Sequence, residues 1–386
     1  MVRHRYLLWL AALPLLVVQP LLASTVQVGN CITGLPSYTT ISAAVSAVSS
    51  GSTVEVCPGT YAEQVTITVP LTLQGVTSGT ANQVVVTVPT AGLVANTTSM
   101  FGESVAAQIL VQGPGPVNIT DITVDGTGGD IACASWLAGI FYGSGSSGTV
   151  NGVRSSNQVD STCGVGIWAE NGGSSNESVT IKNSTVYNVD SAGIFAGSGA
   201  TPTLTATVDN DVVSASAALA AIDADSVNGQ VQNSTASNAT FGVFDLSPTV
   251  TVASNAIVGT NYGIYLGSGG TASGNRVSGS SIDGILLGAS GAILMNNRIV
   301  SSTTAGVELG CFAASVNGNI INDAPVGFDA APGAIPTSNS LYNTATTVTN
   351  GCAVGAAALR TSRPPARTNL QRQWHTPATP FGTRTK

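Results

Sequence analysis

The chain has 386 residues, of which 43% are hydrophobic, only 8% are charged and 45 are glycine. This composition excludes both a disordered chain and an integral membrane protein. Residues 24–359 contain 19 acidic and four basic residues, a formal charge of −15, and a domain this acidic repels polyanions such as nucleic acids.

The first element is a predicted signal peptide over residues 1–23. Arg3 and Arg5 give a positive start, Leu7 to Val18 form an apolar run, and Ala23 is a small residue suited to cleavage. The alternative is a single membrane anchor, for which this run is short. No later segment is apolar enough to span a membrane, so we expect a secreted protein, extracellular or in the cell envelope.

The next element is a short helix. Ile41, Ala44, Val45 and Val48 have the spacing of one apolar helical face, which Gly51 ends. The pattern predicts a helical cap over residues 40–49. The stretches "TVEVCPGTY" and "AEQVTITVPLTLQGV" follow it and alternate as strands do.

A glycine-rich frame then recurs nine times, as in "NYGIYLGSGG" from Asn261. Its second position is small and the next residue is always apolar. The small residues are Gly139, Gly166, Gly193, Ala221, Gly242, Gly263, Gly284, Gly306 and Gly327. Repeats of 21 to 28 residues are the length of one solenoid coil. The apolar column, which includes Ile194, Ile222 and Val243, is predicted to face a core.

An asparagine follows most frames. These are Asn183, Asn210, Asn233, Asn255, Asn275, Asn297 and Asn319. Stacked asparagines tolerate a left-handed backbone and can form an amide ladder. The residues two positions later predict a second inward column, formed by Thr185, Val212, Thr235, Ile257, Val277, Ile299 and Ile321.

These residues carry a family resemblance. The run from Tyr38 to Val76, "YTTISAAVSAVSSGSTVEVCPGTYAEQVTITVPLTLQGV", followed by repeats of G-I-x-L and N-x-V, resembles the secreted right-handed β-helix proteins of the pectin-lyase-like superfamily. The predicted fold is therefore all-β: a single-stranded, right-handed parallel β-helix with an N-terminal helical cap, over residues 24–359. Residues 360–386 are basic and contain prolines, and they predict a disordered tail.

The six cysteines all follow the signal peptide, and an even number in an exported chain predicts disulfides. Many connectivities are open, and proximity favours three pairs: Cys31 with Cys57, Cys133 with Cys163, and Cys311 with Cys352. A metal site is not expected, because there is no C-x-x-C and no histidine between His4 and His375.

Strand alternation turns the residue after each inward apolar residue outward. This outward column contains five aromatic residues: Phe141, Trp168, Phe195, Phe244 and Tyr265. Either they form an exposed stripe that binds sugar rings, or a loop or partner covers them and they stack only with one another.

Catalytic residues are less clearly indicated. Polygalacturonase-like hydrolases resemble this fold but place aspartates before the G-I dipeptide on adjacent coils, where this chain has only Asp283. The other acidic candidates are Asp223, Asp225 and Glu170, which are expected to face outward. Pectate lyases use a basic residue with calcium-binding acids, and Arg276 and Arg298 are the only basic candidates on neighbouring coils.

No cofactor is expected. Asp209 and Asp211 together with these acids could hold Ca²⁺ through oxygen ligands, but no loop fingerprint indicates it. Whether the chain is an enzyme, a lyase or a hydrolase, stays open because no catalytic set of the superfamily is complete.

Two functions remain. The first is a monomeric secreted protein that binds, and could also process, a largely neutral polysaccharide or cell-surface glycan. The second is a non-catalytic solenoid of the cell envelope, used as a structural or adhesive module.

Overall fold

The computed structural model describes residues 22–350, apart from 78–82, 200, 202 and 331–337. The predicted signal peptide, the basic tail and Cys352 lie outside the described residues. The chain forms a right-handed parallel β-helix, as the sequence predicts, with a single helix, Ile41–Ala47, near its start. No helix in the described part of the chain is long and apolar enough to cross a membrane.

Apart from the first and last strands, each coil contributes one strand to each of three parallel rows, which we number in chain order within a coil. Row 1 consists of Ser37–Tyr38, Thr25–Val28, Ser52–Val56, Leu71–Gly75, Gly115–Thr120, Ser146–Asn151, Glu177–Lys182, Leu204–Asp209, Asn228–Gln232, Val250–Ala253, Thr271–Ser273, Ala292–Met295 and Ala314–Asn317.

Row 2 consists of Gly59–Ala62, Val84–Thr87, Thr123–Asp125, Arg154–Gln158, Thr185–Val189, the first part of Val212–Asp225, the first part of Thr235–Asp245, Ala256–Val258, Arg276–Ser278, Arg298–Val300, Ile320–Asn322 and Ser340–Tyr342. Row 3 consists of Val65–Ile67, Ser104–Val111, Trp136–Tyr142, Gly164–Asn171, Ala192–Ser198, the last parts of Val212–Asp225 and Thr235–Asp245, Tyr262–Leu266, Asp283–Leu287, Ala305–Gly310, Val326–Ala330 and Thr346–Asn350. The remaining strand, Thr97–Thr98, pairs antiparallel with Ser104–Val111.

The core is a continuous apolar column inside the coils. Ile194 pairs with Ile222, and Ile222 pairs with Val243, and all three are buried. This confirms the inward column. β-Branched side chains suit this position because each packs between apolar side chains of similar shape one coil above and below.

The frame glycines lie where row 2 comes closest to row 3. A Cβ atom on Gly166 would be 2.3 Å from Val186 Cγ1, and one on Gly193 would be 2.2 Å from Val213 Cγ1. Glycine therefore recurs here because the opposite coil wall leaves no space for a side chain. The same clash recurs down the solenoid between Gly242, Gly263, Gly284 and Gly306 and, respectively, Ile257, Val277, Ile299 and Ile321.

The asparagine repeat divides into two adjacent columns, and this corrects the predicted register. Asn255, Asn275, Asn297 and Asn319 form a buried ladder, in which Asn275 Oδ1 accepts from Asn255 N and Nδ2, each at 3.0 Å. In earlier coils this ladder position holds Ser184, Asp211 and Ser234.

Asn183, Asn210 and Asn233 precede the ladder by one residue. They belong to a left-handed column with φ of 51°, 58° and 52°, continued by Ser254, Gly274, Asn296 and Gly318. The prediction that Thr185, Val212 and Thr235 face inward is therefore wrong, and Val212 is 48% exposed. The inward residues in these coils are Val186, Val213 and Ala236, whereas the prediction is right from Ile257 onward.

The N-terminal end of the core is covered by the helix Ile41–Ala47. Its Ile41, Ala44 and Val45 are buried, and Thr40 caps it by accepting from Ala43 N. Glu63 accepts hydrogen bonds from Ile41 N and Ser42 N, at 2.8 and 2.9 Å. A carboxylate at a helix N-terminus satisfies free N–H groups and complements the helix dipole.

Two predicted disulfides are present, Cys31–Cys57 and Cys133–Cys163, each with 5.7 Å between the Cα atoms. Cys311 is also disulfide-bonded, and its predicted partner, Cys352, lies outside the described residues. No described cysteine is free.

Candidate functional site

The outward side of row 3 is not the exposed aromatic stripe that one prediction placed there. Phe141, Trp168, Phe195, Phe244 and Tyr265 do point away from the core, where they form two separate apolar clusters. All five are nonetheless buried, and even Tyr265 is only 6% exposed. The alternative, that these residues are covered and stack with one another, describes the observed arrangement.

A strap, residues 88–104, covers the first cluster. Phe101 contacts Phe195 edge-on, with ring centroids 6.1 Å apart, and Met100 packs against the same cluster. Trp168 lies between Phe141 and Phe195, with ring centroids 5.2 and 5.3 Å away. This strap is the reason that the outward side chains of the first cluster are buried.

Glu170 holds the strap in place. Its Oε1 accepts from Met100 N at 2.6 Å, and its Oε2 accepts from Trp168 Nε1 at 3.0 Å. Burial raises the pKa of Glu170 to about 7, although both hydrogen bonds lower it. The register places Glu170 in the column of Asp225, with Gly197 between them, as predicted. Its hydrogen bonds give Glu170 a structural role at the strap.

The second aromatic cluster is buried because its rings lie flat on glycines. A Cβ atom on Gly267 would be 2.7 Å from Tyr265 Cε1, and one on Gly288 would be 2.3 Å from Tyr265 Oη. The Tyr265 ring also stacks on Phe244, with centroids 5.0 Å apart and planes at 16°. A ring that lies along the sheet leaves little of its surface to solvent.

Asp223 and Asp225 face outward between the two aromatic clusters. Asp223 is 4% exposed, and its Oδ1 is buried without a hydrogen-bond partner in the described part of the chain. Burial raises the pKa of Asp223, and the charges of Asp225 and Asp245 raise it further. Asp223 is therefore an acid buried between rings, where burial favours its protonated form, rather than an accessible carboxylate.

Asp245 is a buried acid that the sequence did not single out. It pairs in register with Ala224 and Leu266, which belong to the core, so its side chain points into the solenoid. Asp245 Oδ1 accepts from Ser247 N at 2.8 Å, and burial raises the pKa of Asp245 to about 8.

Asp283 belongs to a cluster of three acids at the C-terminal end of row 3. Glu308 and Asp329 pair in register on the next two coils. The charge of Asp329 acts on Asp283, and the charges of Asp329 and Asp283 act on Glu308. Burial raises the pKa of Glu308 to about 9, and contact with the Asp329 carboxyl acts in the same direction. Burial also raises the pKa of Asp283 to about 7. The cluster therefore places a carboxyl group that is protonated at neutral pH, Glu308, beside two further carboxyl groups.

Tyr262 forms the aromatic side of this cluster. It pairs in register with Asp283 and is half-buried, and its ring stacks on Phe241 at 5.0 Å with 14° between planes. Burial raises the pKa of Tyr262, with smaller contributions from Asp283 and Glu308. We call Tyr262, Asp283, Glu308 and Asp329 the row 3 acid site. The structure thus joins one predicted acid to three residues without a predicted role.

The remaining polar candidates lie elsewhere. Asp211 accepts from Ser184 N at 2.7 Å in the ladder, and Asp209 accepts from Asn233 Nδ2 at 2.8 Å. Both side chains therefore have a structural role in the stacked turns between row 1 and row 2. Arg276 and Arg298 pair with each other on row 2, away from the acids of row 3. Within the described ranges, no three His, Cys, Asp or Glu side chains are placed to hold a metal ion.

Residues 173–369, just over half of the chain, match the family model described as the right-handed beta helix region. The chain belongs to this right-handed beta helix family. Among curated proteins, no sequence matches it.

Several solved structures share the fold of this right-handed beta helix. The A-module of the Azotobacter vinelandii mannuronan C-5 epimerase AlgE4 is 13% identical, with a TM-score of 0.51 over 78% of this chain and 89% of that one. A PL6 alginate lyase in complex with a trisaccharide is 12% identical, with a TM-score of 0.51 over 80% and 73%. The GH136 lacto-N-biosidase of Eubacterium ramulus is 8% identical, with a TM-score of 0.50 over 84% and 68%. At these identities the similarity shows the fold alone.

Proposed function

We propose that the protein binds and hydrolyses a largely neutral glycan at the row 3 acid site. The main support is the juxtaposition of Glu308 with Asp329 and Asp283 on adjacent coils. Glycoside hydrolysis needs one protonated carboxyl group to protonate the leaving oxygen and one carboxylate to act as base or nucleophile. Carboxyl groups in different environments can take these two roles at one pH.

The assignment of roles follows from the raised pKa of Glu308 and from the hydrogen bond that orients Asp329. Glu308, with a pKa of about 9, stays protonated at neutral pH and is the candidate general acid. Asp329 is half-buried and its Oδ1 accepts from Thr349 Oγ1 at 2.7 Å, which orients this carboxylate as base or nucleophile. Tyr262 offers a half-exposed ring on which a sugar can stack.

A neutral substrate fits the charge of this surface. The domain has a formal charge of −15, which repels polyuronates. The structural neighbours are named as an epimerase of mannuronan, a lyase of alginate and a lacto-N-biosidase. Proteins with this fold therefore include enzymes that act on carbohydrates. Secretion, which the predicted signal peptide and the disulfides favour, would bring the protein to such substrates.

The test is incubation of the purified protein with neutral glycans, followed by measurement of new reducing ends. We expect product with at least one glycan and a loss of 100-fold or more in rate for Glu308→Gln. Glu55→Gln, the same change on the outward side of row 1, is the matched control and should keep the wild-type rate. Product formation that survives Glu308→Gln would exclude this site.

A second function is supported by the burial of the aromatic residues. Because the five outward aromatics are covered, the described part of row 3 presents no extended stacking surface of the kind that a processive glycan-binding enzyme would use. A non-catalytic envelope or adhesive solenoid is consistent with that. Binding of glycans without any product, unchanged in Glu308→Gln, would favour this alternative.

A further inference from the structure

Two of the four basic residues between residues 24 and 359 lie side by side. Arg276 and Arg298 are register partners on neighbouring row 2 strands, and both are exposed. Adjacent strands are about 4.8 Å apart, so the two guanidinium groups can reach one point in front of the sheet. Like charges at this spacing repel by about 1 kcal/mol in water, and a bound anion would relieve this repulsion.

The chain does not supply that anion from the described residues. Neither guanidinium forms an ion pair or side-chain hydrogen bond there, although the domain is rich in acids. The flanking register partners are uncharged, Ala256 on one side and Ile320 on the other. By contrast, Arg154, on the same row, is bonded to Tyr187 and stacks over its ring at 4.4 Å.

We propose that Arg276 and Arg298 form an anion site for a single oxyanion group, the carboxylate of a sugar acid within an otherwise neutral glycan. Two parallel guanidinium forks match a planar carboxylate, which accepts up to four hydrogen bonds. A polyanion is disfavoured, because the charge of −15 repels every further anionic group. This site lies on a different row from the acid site and is independent of the proposed hydrolysis.

The surroundings suit the uncharged part of such a ligand. Val258, on the row 2 strand of the coil before Arg276, is 48% exposed, and Met295, just before the turn that leads to Arg298, is 38% exposed. Exposed apolar groups beside a charged pair can contact the apolar face of a sugar ring. The site therefore offers both a charge contact and a flank for packing.

The experiment is a calorimetric titration of the full chain with three probes: inorganic sulfate, a glucuronate-terminated oligosaccharide, and the glucose-terminated equivalent. We expect the glucuronate probe to bind at least tenfold more tightly than the glucose probe. The Arg276→Gln and Arg298→Gln double variant should weaken its binding at least tenfold. Sulfate that binds as tightly as the glucuronate probe would mean a site for a free inorganic oxyanion and would overturn the sugar-acid assignment.

Three controls make the outcome specific. Lys182→Gln removes one positive charge from row 1 and should change the affinity by less than twofold. The double change to lysine keeps the charge but removes the planar fork, so it should give an intermediate affinity. Glu308→Gln should leave the binding unchanged, which separates this site from the proposed hydrolysis. Binding of the glucuronate probe that survives the double glutamine change, or no binding at all, would overturn the proposal.

Discussion

Ala221 occupies the position where the other eight frames have glycine, and Ala236 occupies the position that faces it. The strand register places Ala236 in one column with Val213 and Ile257, which crowd the glycines of the neighbouring coils. A methyl group has been added on one wall of the coil and larger groups have been removed from the other. The side chains at the two facing positions therefore fill one fixed volume inside the coil, so a larger group at one position needs a smaller group at the other.

This relationship predicts coupling between the two positions one coil further on. A Cβ atom on Gly242 would be 2.3 Å from Ile257 Cγ2, so Gly242→Ala should destabilise the fold by about 2 kcal/mol or more. Ile257→Ala alone should cost about 2–5 kcal/mol through the cavity it leaves. The double variant should be more stable than the sum of the two effects by at least about 1 kcal/mol.

Chemical denaturation of all four proteins measures this coupling. The control is Gly199→Ala, where the nearest atom to the added Cβ would be 3.9 Å away. It should change the free energy of unfolding by less than about 0.5 kcal/mol. Strict additivity of Gly242→Ala and Ile257→Ala would contradict the shared space.

The two asparagine columns should differ sharply in their response to substitution. Asn275→Ala removes a buried amide that donates to Val252 O at 2.8 Å and accepts from Asn255. The partners are left unsatisfied inside the stack, so we expect a loss of about 3 kcal/mol or more. Asn183→Gly keeps the left-handed backbone and removes two exposed hydrogen bonds, one donated to Asn151 and one accepted from Asn210, so its loss should be below about 1 kcal/mol. Equal losses, measured by denaturant unfolding, would mean that the columns are not distinct.

Substitution of the outward aromatics should now destabilise the protein. Trp168→Ala removes a buried ring packed between two others, and the expected cost is about 3–5 kcal/mol. Tyr342→Ala is the control, because Tyr342 is 57% exposed on the last row 2 strand and should cost less than about 1 kcal/mol. A Trp168→Ala variant with the wild-type melting temperature would restore the exposed-stripe prediction.

Stability should fall as the pH rises. Glu170, Asp283, Asp245 and Glu308 have folded pKa values of about 7, 7, 8 and 9, all raised by burial. In the unfolded chain such acids titrate near pH 4, so between these values the folded state holds the extra protons. Each group then removes up to about 1.4 kcal/mol of stability per pH unit. The melting temperature should therefore be higher at pH 5 than at pH 8.

Variants separate the contribution of one group. Glu308→Gln stays neutral at every pH and should narrow the difference in melting temperature between pH 5 and pH 8. Asp323→Asn, a change at an exposed turn, should leave that difference as it is. A melting temperature that rises from pH 5 to pH 8 would show that these acids are ionised in the folded protein.

The sequence was sufficient to predict the repeat, the helical cap and the inward column, because each depends on a local pattern repeated many times. It was insufficient for the register of Asn183 and Asn255, since an asparagine suits both a left-handed turn and a ladder. It also could not show that the strap covers Trp168, because outward from a strand does not mean exposed to solvent. That distinction depends on a segment about 70 residues away in the chain.

The row 3 acid site illustrates the same limit. Asp283 was a candidate by its place before a frame glycine, but its partners depend on which residues two further coils place beside it. Glu308 and Asp329 were visible as neighbours in one outward column, yet the pKa of Glu308 is raised by burial, which the sequence alone does not reveal. A pairwise comparison of acids on adjacent coils would have found them.

The ladder of Asn255, Asn275, Asn297 and Asn319 makes successive coils interchangeable. In genetic terms, an in-frame deletion or duplication of about one coil joins an asparagine to another with the same partners and the same corner. Such an event changes the length of the solenoid without creating an unmatched junction. The ladder would therefore stay continuous after the loss or gain of one coil here, whereas the coils with Ser184, Asp211 and Ser234 differ from one another at the ladder position.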